Sequence, residues 1–361
     1  MTVIQYPMQE PAMELRSSPH IKSSLTVETI MFNVVLALLP VCAFAVFAFG
    51  TSAVLLLITS TAACVIAEDA ICRISGKPTT IGNWSAVITG LLLGLTLPPT
   101  FPLWMTALGG VVAIGLGKVL FGGLGFNVFN PALVGRAFLQ AAFPAAMTTW
   151  APAFGADRFV SLFPSTLAFP FSTPSEIGEY VEALGVDAFT GATPLMLMKS
   201  DIGSEAFQAI TYGDLLLGRI AGSTGETCAA LILLGGIYLI ARRMMDWRIT
   251  AAIFGTVFIL SGAFWLVDSG QYPSPLFMLL SGGLALGAVY MATDMVSSPT
   301  TPLGAWIFGA MIGVLVVIIR LKGGLPEAVM YAILLGNAAT PIINYFTQPR
   351  IYGARKKEAT S

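Results

Sequence analysis

Long apolar runs separated by short polar turns dominate this 361-residue chain. A bilayer core takes about 20 apolar residues per helix, and the absence of water there forces backbone N–H and C=O groups to bond within the segment. Runs of this length therefore predict transmembrane helices. Ten are predicted, over residues 26–48, 52–70, 83–98, 103–121, 131–149, 226–241, 249–267, 274–292, 303–319 and 326–346. The third is short and ends in Leu97-Pro98-Pro99-Thr100, which predicts a half-span or a sharply bounded helix. The fold class expected is an all-α polytopic membrane protein of about ten spans.

Lysine and arginine near helix ends resist translocation, so their distribution sets the orientation. With the N-terminus in the cytoplasm, that side receives Arg16, Lys22, Arg73, Lys77, Arg242, Arg243, Arg248, Arg350, Arg355, Lys356 and Lys357, eleven residues. The other side receives Arg158, Lys199, Arg219, Arg320 and Lys322, five residues, the last two being a local violation. Both termini are thus predicted to be cytoplasmic. The first 25 residues are polar, with no apolar core for a cleavable signal. Five units follow: a cytoplasmic tail over 1–25, a five-helix half over 26–149, an external loop over 150–225, a second five-helix half over 226–346 and a basic tail over 347–361. The loop is acidic, carrying Asp157, Glu176, Glu179, Glu182, Asp187, Asp201, Glu205 and Asp214. Five helices on each side of an external loop run in opposite orientations if the halves are related, the arrangement of inverted repeats that build sites near the membrane midplane. "FNPALVGRAF", which opens the fifth run, and "SSPTTPLGAWIF", which opens the ninth, agree with a repeat, and two ordinary proline-started helices account for them equally well.

Composition narrows the function classes. Hydrophobic residues make up 56% and charged residues 10%, with a mean hydropathy of +0.81, as expected of a chain embedded in lipid. A net charge of −1 supplies no basic field for nucleic acid. Cys42, Cys64, Cys72 and Cys228 are scattered without a CxxC pair, and His20 is the only histidine. Such a chain offers no bis-histidine haem, four-cysteine cluster or histidine-rich metal site of its own, so electron handling would need an organic cofactor or a metal shared with another chain. The glycine pairs Gly90/Gly94, Gly283/Gly287 and Gly309/Gly313 have the spacing that lets helices approach closely.

Candidate chemistry lies in the turns. In "FGGLGFNVFNPALVGRAF", residues 121–138, three glycines free the backbone, Asn127 and Asn130 offer amides, and Pro131 suits a first helical turn capped by Asn130. No strand precedes this loop, so a Rossmann reading fails; what remains is a rigid polar turn able to hold a flat heterocycle by its rim, or a capped helix start. Arg136, under two turns into the fifth helix, is a costly cation in lipid, either functional or snorkelling to the interface. Glu226 and Asp294 are candidate ion-path carboxylates, hard ligands suited to Na⁺ or proton relay, or else interfacial acids. "DAFTGATPL" reads as an exposed turn ending at Pro194, and its Thr193 hydroxyl is a poor nucleophile that an outside catalyst would have to modify.

Four motifs together carry a resemblance. Asp187-Ala188-Phe189-Thr190-Gly191-Ala192-Thr193 is similar to the sequence to which a dedicated flavin transferase attaches FMN by a phosphoester on the last threonine. With "GGLGFNVFNPALVGRAF", "GSTGE" (Gly222–Glu226) and "MATDMVSSPTTPLG", it resembles, through nearly all ten spans, the family of the D subunit of the Rnf ferredoxin:NAD⁺ oxidoreductase and the B subunit of the Na⁺-pumping NADH:quinone oxidoreductase. The short N-terminus favours the Rnf branch. The resemblance implies covalent FMN on Thr193, with Asp187, Thr190, Gly191 and Ala192 recognised by the transferase. It also implies a non-covalent riboflavin, expected near Asn127, Asn130 and Arg136. It further implies electron transfer between flavins coupled to Na⁺ or H⁺ translocation, in a bacterial inner-membrane complex. The partners implied are the other Rnf subunits: the A and E membrane proteins, the periplasmic G flavoprotein and the cytoplasmic B and C proteins. The rival class is a permease, which has no use for a flavinylation motif.

Overall fold

A hairpin about Gly50 opens the fold. The computed structural model describes residues 26–76, 79–155, 158–160, 162–163, 165–170, 193–200, 207, 210–226, 228–324 and 327–349. Helix α1 (Val27–Phe49) starts where the Thr26 hydroxyl accepts the Thr29 amide and turns into α2 (Thr51–Ile74). Gly50 has φ 69°, and a Cβ there would lie 1.8 Å from the Arg158 carbonyl oxygen, so glycine is required for both conformation and contact. Helix α3 (Ser85–Thr96) follows, then α4 (Leu103–Ile114), which runs into a π-helical turn over Gly115–Val119, and α5 (Pro131–Ala142). The connecting segment contributes α6 (Pro194–Ser200) and α7 (Tyr212–Leu217). Next come α8 (Ala229–Ala241), α9 (Trp247–Val267), α10 (Pro275–Leu280) and α11 (Leu284–Leu286), which continues as a second π-helical turn over Gly287–Met291. Finally α12 (Pro302–Lys322) and α13 (Val329–Thr347) close the chain.

The described residues contain no strand. Among the described residues five helices, α1, α2, α9, α12 and α13, are long and apolar enough to cross a membrane, and α3, α4 with its π turn and α8 are shorter apolar helices. Each predicted run contains helix, but the eighth is broken. The stretch 274–292 is interrupted at Ser281–Gly283, where Gly282 has φ 60°. The carbonyls freed at this break are taken by Arg320, whose Nη1 donates to Met278 O (2.5 Å) and Nη2 to Ser281 O (2.9 Å). Arg320 is fully buried. It breaks the positive-residue rule because it caps a helix inside the protein and does not sit in a loop.

The two sets of helices pack alike. α2 lies on α3 and α4 as α9 lies on α10 and α12, and α5 packs on α4 as α13 packs on α12. Glycine spacing explains the closeness. A Cβ on Gly90 would come within 2.4 Å of Thr61 Cα, and one on Gly94 within 2.5 Å of Ser60 Oγ. In the second set a Cβ on Gly309 would come within 2.7 Å of Ile249 O, and one on Gly313 within 2.7 Å of Thr256 Cβ. The sets meet where α1 crosses α8 and the π turn after α11: Tyr238 OH donates to Asn33 Oδ1 (2.6 Å), and Tyr290 OH to Ala37 O (3.0 Å).

Turns sort onto two faces. Those after α1, α3, α9 and α12 all bond to the connecting segment: Thr51 N to Arg158 O (3.0 Å), Ser165 Oγ to Thr100 O (2.6 Å), Tyr212 OH with Ser274 Oγ (2.8 Å), and Lys199 Nζ to Gly323 O. The turn after α2 meets the end of α4, and the turn after α4 meets the turn after α11, where Asn127 approaches Asp294. Alternation of this kind is what helices running back and forth produce.

Packing this close predicts a sharp contrast between glycines. Gly90→Leu should push α3 off α2 and cost about 1–3 kcal/mol, whereas Gly255→Ala on α9, with nothing within 4 Å of its added Cβ, should be neutral. Thermal unfolding of the two variants in detergent checks this, and equal losses would refute the tight α2–α3 contact.

Candidate functional site

Two polar sites lie where helices break, and they regroup the residues singled out in the sequence. The first is a cavity of about 770 Å³, partly open to solvent, at the seam between α1, α3, α8 and the π turn that follows α11. Its apolar wall includes Ile88, Met244 and Val289, and its polar edge carries Asn127, Asn130, Lys118, Thr89 and Asp294. The α4–α5 turn forms this edge because Gly122, Gly123 and Gly125 all take positive φ (118°, 102° and 94°), which bends the chain back under the helices.

Asn130 caps α5 as its sequence context predicts: Oδ1 accepts from Ala132 N (3.0 Å), and Nδ2 donates to Met291 O (3.2 Å). It ties the turn to the second helix set. Asn127 is different. Its Nδ2 donates to Phe129 O (3.1 Å) and, at 3.4 Å, to Asp294 Oδ2, while its buried Oδ1 has no partner among the described residues. An unpaired acceptor in a cavity wall costs about 1–3 kcal/mol unless a ligand or water donates to it. Asp294 also accepts from Ser297 Oγ (3.0 Å). Asp294 therefore belongs with Asn127, at the mouth of this cavity, and lies apart from Glu226.

Arg136 does not line this cavity. It projects from α5 into a second, smaller one shared with Glu226, Arg320 and Glu327. Its Nη1 donates to Glu226 Oε1 (2.9 Å) and its Nη2 to Glu327, with all three groups largely withdrawn from solvent. Glu226 is delivered by the Gly222–Glu226 turn, which lies along the end of α3: Gly225 N donates to Leu95 O (2.7 Å) and Thr224 Oγ1 to Leu97 O (2.7 Å). A Cβ on Gly283 would come within 2.4 Å of Glu226 Oε1, so the break in α10–α11 is what makes room for this carboxylate. The four side chains form two cations and two anions in one buried cluster. Sequence reading misses Glu327 and Arg320 as site members, and their only signal is the misplaced positive charge at Arg320.

Thr193 stands at the start of α6, where its Oγ1 accepts from Met196 N (3.3 Å). Its side chain is only 6% exposed, so the expected exposed hydroxyl is corrected to a buried one. The reason is local: α6 packs inward through Leu195 and Met198, both buried. Thr193 borders a narrow cleft together with Gly222, Gly282, Glu226 and Glu327, which puts it beside the charge cluster. Asp187, Thr190, Gly191 and Ala192 lie outside the described residues.

Comparison with known proteins identifies the family. The profile of the NQR2, RnfD, RnfE family matches residues 14–353. The chain is 42% identical over 347 residues to the D subunit of the proton-translocating ferredoxin:NAD(+) oxidoreductase complex of Clostridium ljungdahlii, covering 95% of this chain and 96% of that one. It is 40% identical to the D subunit of the Na(+)-translocating ferredoxin:NAD(+) oxidoreductase complex of Acetobacterium woodii, over 98% and 99% of the two chains. It is 37% identical to the D subunit of an ion-translocating oxidoreductase complex of Halorhodospira halophila, over 94% and 95%. A match spanning nearly the whole of each chain covers every helix and both polar sites, and the chain belongs to the NQR2, RnfD, RnfE family.

Proposed function

We propose that this chain is the D-type membrane subunit of an ion-translocating ferredoxin:NAD⁺ oxidoreductase, a flavoprotein of the bacterial inner membrane. The observation that carries the reading is end-to-end similarity to subunits of that name, joined to a threonine that closes the DAFTGAT motif beside a buried charge cluster. The sorting of turns onto two faces supports a chain that runs back and forth across the membrane; with the lysine and arginine distribution, the reading is ten spans with both termini cytoplasmic, the connecting segment external, and residues 26–149 and 226–346 as inverted five-helix halves. The neighbouring partners are the membrane, periplasmic and cytoplasmic subunits of the same complex, with a flavin transferase acting on this chain.

Two flavins belong to this reading. For riboflavin, the apolar walls of the large cavity suit ring faces, and the unpartnered Asn127 Oδ1 suits a donor such as a ring N–H. Asn130 holds the turn in place, and Arg136, expected near this flavin, lines the charge cluster and not this cavity. For FMN, the Thr193 hydroxyl is the attachment atom. Its burial means that the transferase acts on a chain in which the start of α6 is open, before final packing. Bound flavins supply one- and two-electron carriage, and the protein supplies position and electrostatics. The external threonine and the cavity at the opposite set of turns give the chain one flavin position toward each side of the membrane. Glu226, held by Arg136, and Asp294, held by Asn127 and Ser297, are the carboxylates proposed for the ion path, since intramembrane acids in paired surroundings mark such routes.

Three outcomes are expected. The denatured chain of about 38 kDa, from cells making the transferase, should fluoresce under ultraviolet light in a gel, and Thr193→Ala should abolish the band; a dark unsubstituted band with active transferase would move a permease to first place. Asp294→Asn should impair ion uptake by vesicles bearing the complex, whereas pumping and electron transfer left equally intact would remove Asp294 from the path. Arg136→Leu leaves Glu226 and Glu327 without the cation they both bond and should destabilise the chain by about 3–5 kcal/mol, read as a loss of folded protein on heating; Glu226→Gln should cost less, because Arg136 keeps its pairing with Glu327 and an amide oxygen can still accept from its Nη1.

A further inference from the structure

Neither polar site accounts for a second buried ion pair. Lys118 Nζ donates to Glu68 Oε1 (2.6 Å) and to Ser85 Oγ (2.7 Å), and the two charged side chains are 2% and 1% exposed. Burying such a pair gains little or nothing in stability over apolar residues of the same volume. Its placement is specific. Lys118 sits in the π-helical turn Gly115–Val119, an irregularity often found at functional sites, and among the described residues it is the only cation in the wall of the large cavity. Glu68, on α2, does not line that cavity; it lies behind the ammonium, where Thr80 Oγ1 also donates to it. The pair is thus a dipole with its positive end toward the cavity. Lys118 has three N–H donors and two are used, which leaves one for an occupant.

We propose that Lys118 sets the redox potential of the flavin held in this cavity, and that Glu68 moderates it. The inference rests on the cavity reading given above. Adding an electron to a bound isoalloxazine adds negative charge, and a fixed cation nearby in a low-dielectric wall favours the reduced form. Removing the cation disfavours reduction. Removing the carboxylate behind it bares the cation and favours reduction further. The two members of one ion pair should therefore move the potential in opposite directions, whereas a merely structural pair would lower stability and flavin content in the same direction from either side.

The test uses the purified full-length chain carrying Thr193→Ala, in which the only flavin signal is the non-covalent one, titrated in an optical electrode cell. Lys118→Met should lower the reduced-to-oxidised ratio at fixed potential at least tenfold, about 59 mV for one electron. Glu68→Gln should raise it, and Lys118→Arg should restore most of the unsubstituted value. Flavin content, measured after acid extraction, reports occupancy independently. A chain that holds flavin with unmoved potentials, or with both variants shifted the same way, overturns this inference alone; a chain that holds no non-covalent flavin overturns the cavity reading and this inference with it.

Discussion

Polar groups withdrawn from water must find partners within the protein, and in this chain that requirement decides where helices can break. A backbone carbonyl freed in an apolar interior costs several kcal/mol if left alone. The break between α10 and α11 persists because Arg320, from a helix 39–42 residues further on, takes two of the freed carbonyls. The end of α3 is met by the Gly222–Glu226 turn, whose amides and threonine hydroxyl bond to Leu95 and Leu97. Each break in turn makes a site. The first leaves a gap at Gly283 that a carboxylate fills, and the second delivers that carboxylate.

Charge follows the same logic. Arg136 needs an anion once it is inside, and the two it finds come from different parts of the chain, 90 and 191 residues away. Such pairs tie the helix sets together at their centre, where glycine contacts bring backbones close and leave little space for water. The large cavity is the exception: much of its wall is apolar, yet its lining retains an amide oxygen without a partner among the described residues and a buried lysine.

Much of this is legible in the sequence, and the rest is hidden for identifiable reasons. Hydropathy locates the helical stretches, because apolar length is a local property. It misses the interruption at Ser281–Gly283, because what tolerates that break is Arg320, whose effect is tertiary. The asparagines of the α4–α5 turn stand out by cap chemistry, and Asn130 caps as expected. Arg136 and Asp294 each have neighbours other than those the sequence suggests, since their partners are set by which helices cross, and no local pattern records that. Thr193 reads as exposed because glycine, threonine and proline mark turns; the inward packing of α6 through Leu195 and Met198 depends on surfaces that the motif does not contain. Lys118 lies near the end of a predicted run, and nothing local there marks Glu68, fifty residues earlier, as its partner.

All four cysteines are free and buried. The native thiols are therefore shielded from aqueous electrophiles, so a single cysteine introduced into a turn becomes the preferred target for a membrane-impermeant maleimide. Sidedness can then be mapped turn by turn on the otherwise unaltered chain, without first building a cysteine-free background.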